Sequence, residues 1–485
     1  MSRRADRIGY FRELSIEKKE KNMMLAGFSE VEFTPAEGVM PGQFVPYHAK
    51  GAHTPLMAHA MAVTNRDSSV MMISTDLLGV NADRVVQVKK QISDAIGIPV
   101  SNIMICATHT HTGCFANTGE RVALEALHRG NYVITEEEKA IEAGVDRAIL
   151  EAALSAWSRR EEASMGVGRG YERRFSYNRD WLLADGSVKM NPGYGRTDMV
   201  RPMGTVDQSV DVLRFDGKDG KILAFVVNYA NHPDNHRPEE SDRFSADYPG
   251  YLRRALQKEF GNDVAVIFLT GTCGDVNNRD YYKERCLRSY RADGKCPPEE
   301  MGNGLAETVI DVNRDIIAYI TDPMIQCKTE YHTTSRHFPT PEQVEWARET
   351  VKRSETEEIS AVDRMYSSHY TADTSKLPKT IEMELQTIQI GDHAFVCLPG
   401  EIFTEIGLRI KAVSPFANTS VVTLANQYHG YVATEAYQRI GAYEGRYHLT
   451  NAVGFETADV LVNESLRMLR ELSDARVPVP TKPMY

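Results

Sequence analysis

The chain has 485 residues with 42% apolar and 25% charged side chains, an ordinary globular composition and enough length for a large core. Lys plus Arg number 56 against 67 Asp plus Glu, a formal charge of −11, with no basic cluster to offset it. Nucleic acid and anionic membrane both need a positive face, so neither is expected as a partner.

In chain order, residues 1–22 read as a charged N-terminal extension without the apolar stretch of a signal peptide. Nowhere do about eighteen apolar residues run uninterrupted, so no membrane insertion is expected and the protein reads as cytoplasmic. Seven cysteines lack a C-x-x-C pair. Cys286 and Cys296 are close enough in sequence to pair, but a reducing compartment argues for free thiols.

Six short Val/Ile-rich runs follow: VMMISTD (70–76), NIMICATHTH (102–111), ILAFVVNYANH (222–232), VAVIFLTGTCGD (264–275), HAFVCLPGE (393–401) and SVVTLANQYHGY (420–431). Each passes abruptly into polar residues. Unbroken apolar runs of this length suit strands buried on both faces. Between them, NADRVVQVKKQISDAIG (81–97) has helical apolar spacing and a glycine stop. SADYPGYLRRALQKEFG (245–261) has the same spacing, with Ser245 as cap. Alternating strands and helices predict an α/β fold: a mixed, largely parallel sheet covered by helices, with the active site at the strand C-terminal ends. One catalytic domain is expected over residues 23–475. It carries a helical insertion at 335–380, an amphipathic helix at 455–474 and a Pro-rich tail at 476–485.

The polar endings hold the chemistry. His109 and His111 sit two apart, so on an extended segment they face one side. Imidazole is the commonest metal ligand, and this spacing lets both bind one ion or lets one handle protons. His232 precedes Pro233, which keeps it extended. His236 reads as an exposed loop residue. Glu401 follows Pro-Gly at a strand end, where a cation would offset the burial of its charge. Tyr431 and Tyr443 lie near strand ends, where core packing is the alternative reading. Asp76 and Asp275 end buried runs and are expected either to accept hydrogen bonds from ligand histidines or to cap helices. No G-x-x-x-x-G-K phosphate loop and no G-x-S-x-G elbow is present.

At these residues the sequence resembles the neutral/alkaline ceramidases and their shorter bacterial relatives. The matching stretches are MLAGFSEVEFTP (24–35), STDLLG (74–79), ATHTHTG (107–113), YNRD (177–180), NHPDNH with FSADYPGYL (231–252), GTCGDVNN (271–278), LPGE (398–401) and GYVATEAYQRIGAYEG (430–445). They fall in family order across residues 24 to 460. The long members carry a secretion signal and a C-terminal β-domain, both expected to be missing here.

The resemblance implies a zinc-dependent hydrolase that cleaves an N-acyl or other small amide with metal-activated water. By motif position, the zinc ligands would be His109, His232, Glu401 and Tyr431. His111 would shuttle protons, while Arg179 and Tyr443 would hold the scissile group. A structural ion pair is the alternative for Arg179. Where the family has a serine considered catalytic, this chain has Asn277, which lines the expected substrate site and cannot serve as that nucleophile. A lactone or ester hydrolase on the same metal is one alternative, and a non-catalytic metal-binding relative is another. The expected partner is a small-molecule substrate, with homo-oligomerisation left open.

Overall fold

A computed structural model describes residues 23–41, 47–66, 68–114, 135–236, 242–281 and 296–474. The expected N-terminal extension, the C-terminal tail and Cys286 lie outside the described residues. The six other cysteines are free thiols.

The six apolar runs all become strands. A nine-stranded sheet contains β1 (Leu25–Glu32), β2 (Met57–Asn65), β3 (Ser68–Thr75), β4 (Ile103–Ala107), β5 (Glu161–Tyr171), β6 (Ser209–Gly217), β7 (Ile222–Tyr229) and β8 (Ala265–Thr270). Their order is β8-β7-β6-β5-β1-β2-β3-β4, with the short strand Tyr319–Ile320 beside β5. A four-stranded sheet is formed by β9 (Ile325–Ser335), β10 (Thr380–Ile390), β11 (His393–Cys397) and β12 (Asn418–Val422).

The fold is mixed α/β as expected, but antiparallel pairs outnumber parallel ones. Only β3 with β4, β7 with β8 and β11 with β12 run parallel in the two sheets. Short turns such as 65–68 and 217–222 return the chain directly as hairpins, which a parallel crossover cannot use. The apolar runs misled because both faces of the large sheet are covered. On one face a sheet covers a sheet: Met72, Met104 and Ile267 share a core with Ile388, Phe395 and Val422 of the smaller sheet. Unbroken hydrophobicity therefore reports two-sided burial and says nothing of strand direction.

On the other face, α1 (Ala82–Ile96) and α2 (Glu136–Ser158) pack on β1–β4 through Val85, Ile92, Ile149 and Ala153. Helix α1 starts and stops where the sequence places it. Asn81 caps the Asp83 and Arg84 amides, and Gly97 ends it at φ 79°, where a side chain would be strained. Helix α3 (Asp247–Phe260) packs with α4 (Pro298–Asp315) over β6–β8. Ser245 lies one residue before the α3 N-cap, Ala246, and its Oγ accepts from the Asp247 amide at 3.0 Å. Helices α5 (Pro341–Arg353) and α6 (Ala361–Thr371) stand between β9 and β10. Helices α7 (Thr404–Val413) and α8 (Thr457–Asp474) complete that side of the core. No helix among the described residues is long and apolar enough to cross a membrane.

The large sheet curls until β8 lies near β3 and β4. Ser74 Oγ donates to the Phe268 carbonyl at 2.6 Å, and Thr270 Oγ1 to the Thr108 carbonyl at 2.8 Å. The smaller sheet joins them, as the Thr423 amide donates to the Thr270 carbonyl at 3.0 Å and the Ala107 amide to the Leu424 carbonyl at 3.2 Å. The C-terminal ends of all three parallel pairs thus meet at one place.

Candidate metal centre

Segments far apart in sequence converge there. His109 follows the end of β4, His232 the end of β7, and Glu401 begins a two-residue strand that pairs in parallel with Tyr431–Val432. Two glycines permit this close approach. A Cβ on Gly274 would lie 2.5 Å from the Glu401 carbonyl oxygen, and Gly430 sits at φ 68° with its carbonyl accepting from the Glu401 amide.

His109 is not on an extended segment as the H-x-H spacing suggested. Its φ is 73°, a left-handed conformation that costs a non-glycine residue about 1–3 kcal/mol. The strand ends at Ala107, and the turn aims the ring inward. The His109 amide donates to the Leu77 carbonyl at 2.9 Å and ring Nδ1 to the Leu78 carbonyl at 2.6 Å. His232 Nδ1 donates to the Cys273 carbonyl at 2.7 Å. A carbonyl can only accept, so Nδ1 carries the proton in both rings and each neutral ring presents a lone pair on Nε2. Burial, reinforced by the Arg179 charge, lowers the His232 pKa from its ordinary value and favours that neutral form.

The two Nε2 atoms lie 3.2 Å apart, and Glu401 Oε2 is 3.1 Å from each. These three acceptor atoms belong to side chains almost entirely out of solvent. Such crowding is repulsive unless a positive centre lies among them. Zinc bonds of roughly 2.0–2.2 Å place tetrahedral neighbours about 3.3–3.6 Å apart, close to the spacing found. The donor set therefore fits a divalent ion.

Tyr431 and the remaining candidates surround this triangle. The Tyr431 ring stacks on His232 at a centroid distance of 6.4 Å and meets Tyr443 edge-on at 5.9 Å. Burial, then the Glu401 charge, raises the Tyr431 hydroxyl pKa well above its ordinary value. His111 packs 5.0 Å from His109, with a ring nitrogen within 4.8 Å of those of His109 and His232. Arg179 is buried, its guanidinium 5.3 Å over the Tyr431 ring and Nη1 3.4 Å from His232 Nε2. Arg179 Nε also pairs with Glu444 at 2.7 Å, the ion pair that was the alternative reading of this residue. Asn277 is adjacent to the residue whose carbonyl accepts from His232 Nδ1 at 3.1 Å, Val276. Asn277 Nδ2 is engaged by Asn191 Oδ1 at 2.6 Å, and its Oδ1 accepts from the Arg279 amide at 3.0 Å.

Three sequence expectations are corrected. Asp76 and Asp275 are not the acceptors of His109 and His232, whose Nδ1 atoms donate to backbone carbonyls. Of the capping alternative, Asp275 meets a helix start, the Thr404 amide of α7. Asp76 instead takes the Met57 amide at 3.0 Å and Arg253 Nη2 at 3.2 Å, fixing the loop that carries the Leu77 and Leu78 carbonyls. Asp275 takes the Thr404 amide and hydroxyl, both at 2.8 Å, and Asn178 Nδ2 at 2.8 Å, fixing the loop that carries the Cys273 and Val276 carbonyls. Burial raises its pKa to about 6 despite those donors. His236 is buried rather than exposed: its amide donates to Asp247 Oδ2 at 2.9 Å and its ring stacks on His53 at 5.0 Å.

Three residues went unread. Glu444 holds Arg179 within the quoted GAYEG stretch. Asp180 is buried beside them, its pKa raised well above the ordinary range by burial and then by Glu444. Tyr428, in the quoted NQYHGY run, donates its hydroxyl to Glu401 Oε1 at 2.7 Å. Their only sequence signal was proximity to residues already singled out.

No protein-family model and no curated protein matches the sequence. Among solved structures, the neutral ceramidase from Pseudomonas aeruginosa matches with a TM-score of 0.71 at 16% identity, covering 96% of this chain and 76% of that one. A ceramidase complexed with C2 matches with a TM-score of 0.69 at 16% identity, covering 96% and 77%. Curled sheet, facing sheet and helical cover together make this chain neutral ceramidase-like in fold.

Proposed function

We propose that the protein is a zinc-dependent hydrolase that cleaves an N-acyl or other small amide with metal-activated water. The observation that carries this reading is the triangle of His109 Nε2, His232 Nε2 and Glu401 Oε2, three buried acceptors with 3.1–3.2 Å edges. His109, His232 and Glu401 would hold the ion, with Tyr431 as the fourth protein ligand. Zinc there would supply Lewis acidity and lower the pKa of water to about 7.

The chain's own residues would do the rest. His111, beside the ligand rings but outside the triangle, takes the proton from the attacking water and passes it to the leaving amine. Arg179 stays charged within its buried setting, against the desolvation that would lower its pKa, because the Glu444 carboxylate pairs with its Nε at 2.7 Å. With Tyr443 it faces the carbonyl oxygen as that atom gains negative charge. The ion pair to Glu444 fixes the guanidinium before substrate arrives. Asn277 leaves no serine nucleophile at its position, so direct attack by water accounts for the chemistry without an acyl-enzyme.

Elemental analysis of purified protein, paired with amide and lactone substrate panels, tests the reading. One zinc per chain and faster turnover of amides are expected. His109→Ala should lose the zinc. His111→Ala should retain it while losing about 10²–10⁴-fold in kcat. Equal zinc loss in both variants would refute the division of roles, and protein without stoichiometric transition metal would refute the function.

A further inference from the structure

A second feature lies beside the metal centre, on the far side of Tyr428. It is a groove of about 720 Å³, within the usual range for small-molecule sites. One wall is apolar, formed by Leu377, Pro378, Ile381, Leu449 and Ala452, with Arg336 at its edge. The opposite wall comes from α1 and α2 and carries Asp83, Glu142 and Asp146. Tyr428 and His429 also line it.

The charges on the two walls are treated differently. Arg84, on the helical wall, is neutralised: its Nη2 lies 2.6 Å from Asp146 and its Nη1 3.5 Å from Glu142. Arg336 has no carboxylate partner among the described residues. Its backbone is pinned from both sides, the amide donating to the Lys379 carbonyl at 2.8 Å and the residue bridging to Val453. Its Nε donates to the Pro378 carbonyl at 2.8 Å, which fixes the plane of the guanidinium. No hydrogen bond from either Nη occurs among the described residues. His429 is turned to the protein, its Nε2 engaged by Gln427 Oε1 at 3.0 Å. A half-buried guanidinium, oriented through Nε and with neither Nη group hydrogen-bonded among the described residues, is the fork that a carboxylate fits.

We propose that this groove binds an organic monocarboxylate, with the carboxylate on the Nη groups of Arg336 and the apolar part of the ligand on Leu377, Ile381 and Leu449. One negative charge suits it better than two. Asp83, Glu142 and Asp146 face two lining cations on that wall, Arg84 and Lys139, and Lys139 is paired with Glu136 at 2.7 Å, so carboxylates outnumber cations there and the wall disfavours a second anionic end. The inference does not rest on the hydrolase reading, since neither Arg336 nor the apolar wall belongs to the metal site. Its inner end still reaches the centre, because Tyr428 is hydrogen-bonded to Glu401.

Calorimetric titration of the metal-loaded full chain with hexanoate, hexanamide and adipate tests the site. The wild type should bind hexanoate at least tenfold more tightly than hexanamide and more tightly than adipate. Arg336→Gln should abolish the preference for hexanoate over hexanamide, and Arg336→Lys should keep part of it. Circular dichroism and Tm identify a variant that fails to fold; the lysine variant and the wild-type preference then carry the test. Equal wild-type binding of hexanoate and hexanamide overturns the proposal. So does a folded Arg336→Gln variant that binds hexanoate as the wild type does, which would place the carboxylate elsewhere, as on the zinc. Adipate bound as tightly as hexanoate would overturn the single-charge preference.

Discussion

Tyr428 shows how much of a site can rest on one hydroxyl. Glu401 uses Oε2 toward the two histidines, while its Oε1 accepts from Tyr428 at 2.7 Å. That bond fixes the carboxylate plane and selects which oxygen faces the nitrogens. Partners of this kind typically alter metal affinity by about 10–100-fold when lost. Tyr428→Phe should therefore weaken metal binding about tenfold in a chelator competition, with the unfolding transition unchanged. Unaltered affinity would leave Tyr428 a packing residue. At this scale the sequence exposed the chemical types, because histidines and a glutamate at the ends of apolar runs are conspicuous. It hid the orienting contacts, because those of His109 and His232 come from backbone carbonyls that any residue supplies. Asp76 and Asp275 were visible for the right reason, as buried acids next to ligand segments. Their partners across the fold, Arg253 and Thr404, were invisible until the loops were placed.

Among elements, the least expected tie joins α1 to the smaller sheet. Lys89, on the buried face of α1, reaches Glu384 of β10 at 2.8 Å, and Tyr331 Oη donates to the same carboxylate at 3.2 Å. Both charged side chains are nearly sealed from solvent, and burial lowers the Lys89 pKa against the pull of Glu384. Removing one member of a buried pair strands the other and costs about 3–5 kcal/mol, whereas an apolar pair of similar volume is often tolerated. Lys89→Met should thus lower the unfolding free energy by about 3 kcal/mol in urea titrations, and Lys89→Met with Glu384→Leu should recover most of the loss. A double variant no more stable than the single one would mean the pair does more than neutralise itself. In α1, helical spacing, Asn81 and Gly97 marked the element, yet a lysine on its inner face was indistinguishable from a solvent-facing one. The same limit explains the strand directions. Period and cap chemistry are local, whereas direction and partner are set by which turns close and which face meets the second sheet.

For the whole molecule, the decisive event is the curling of the large sheet, which brings the ends of β3, β4, β7 and β8 to one mouth. A buried charged network braces that curl. Glu30 on β1 hydrogen-bonds His59 of β2 at 3.1 Å, the β8 amide of Val266 at 3.2 Å and Gln257 of α3 at 3.1 Å. Arg253 of α3 joins His59 to Asp76, in the loop that orients His109. Burial alone would raise the Glu30 pKa, but His59, Arg253 and the Val266 amide hold it at about 2, against 4.5 for the free side chain. A folded-state pKa below the unfolded one means that the unfolded chain takes up protons first as pH falls. The stabilisation from Glu30 is therefore complete above about pH 4.5 and is lost progressively toward pH 2. Across that window His59, whose pKa is raised, keeps its charge, so the acid loss belongs to the carboxylates. With the partial exposure of Glu30 discounted, Glu30→Gln should cost about 2 kcal/mol at pH 7. The gap between variant and wild type should narrow as urea unfolding is repeated from pH 5 down to pH 2.5. A gap constant across that range would show that Glu30 acts by shape and hydrogen bonding rather than by charge, and that the brace on the His109 loop is indifferent to its ionisation.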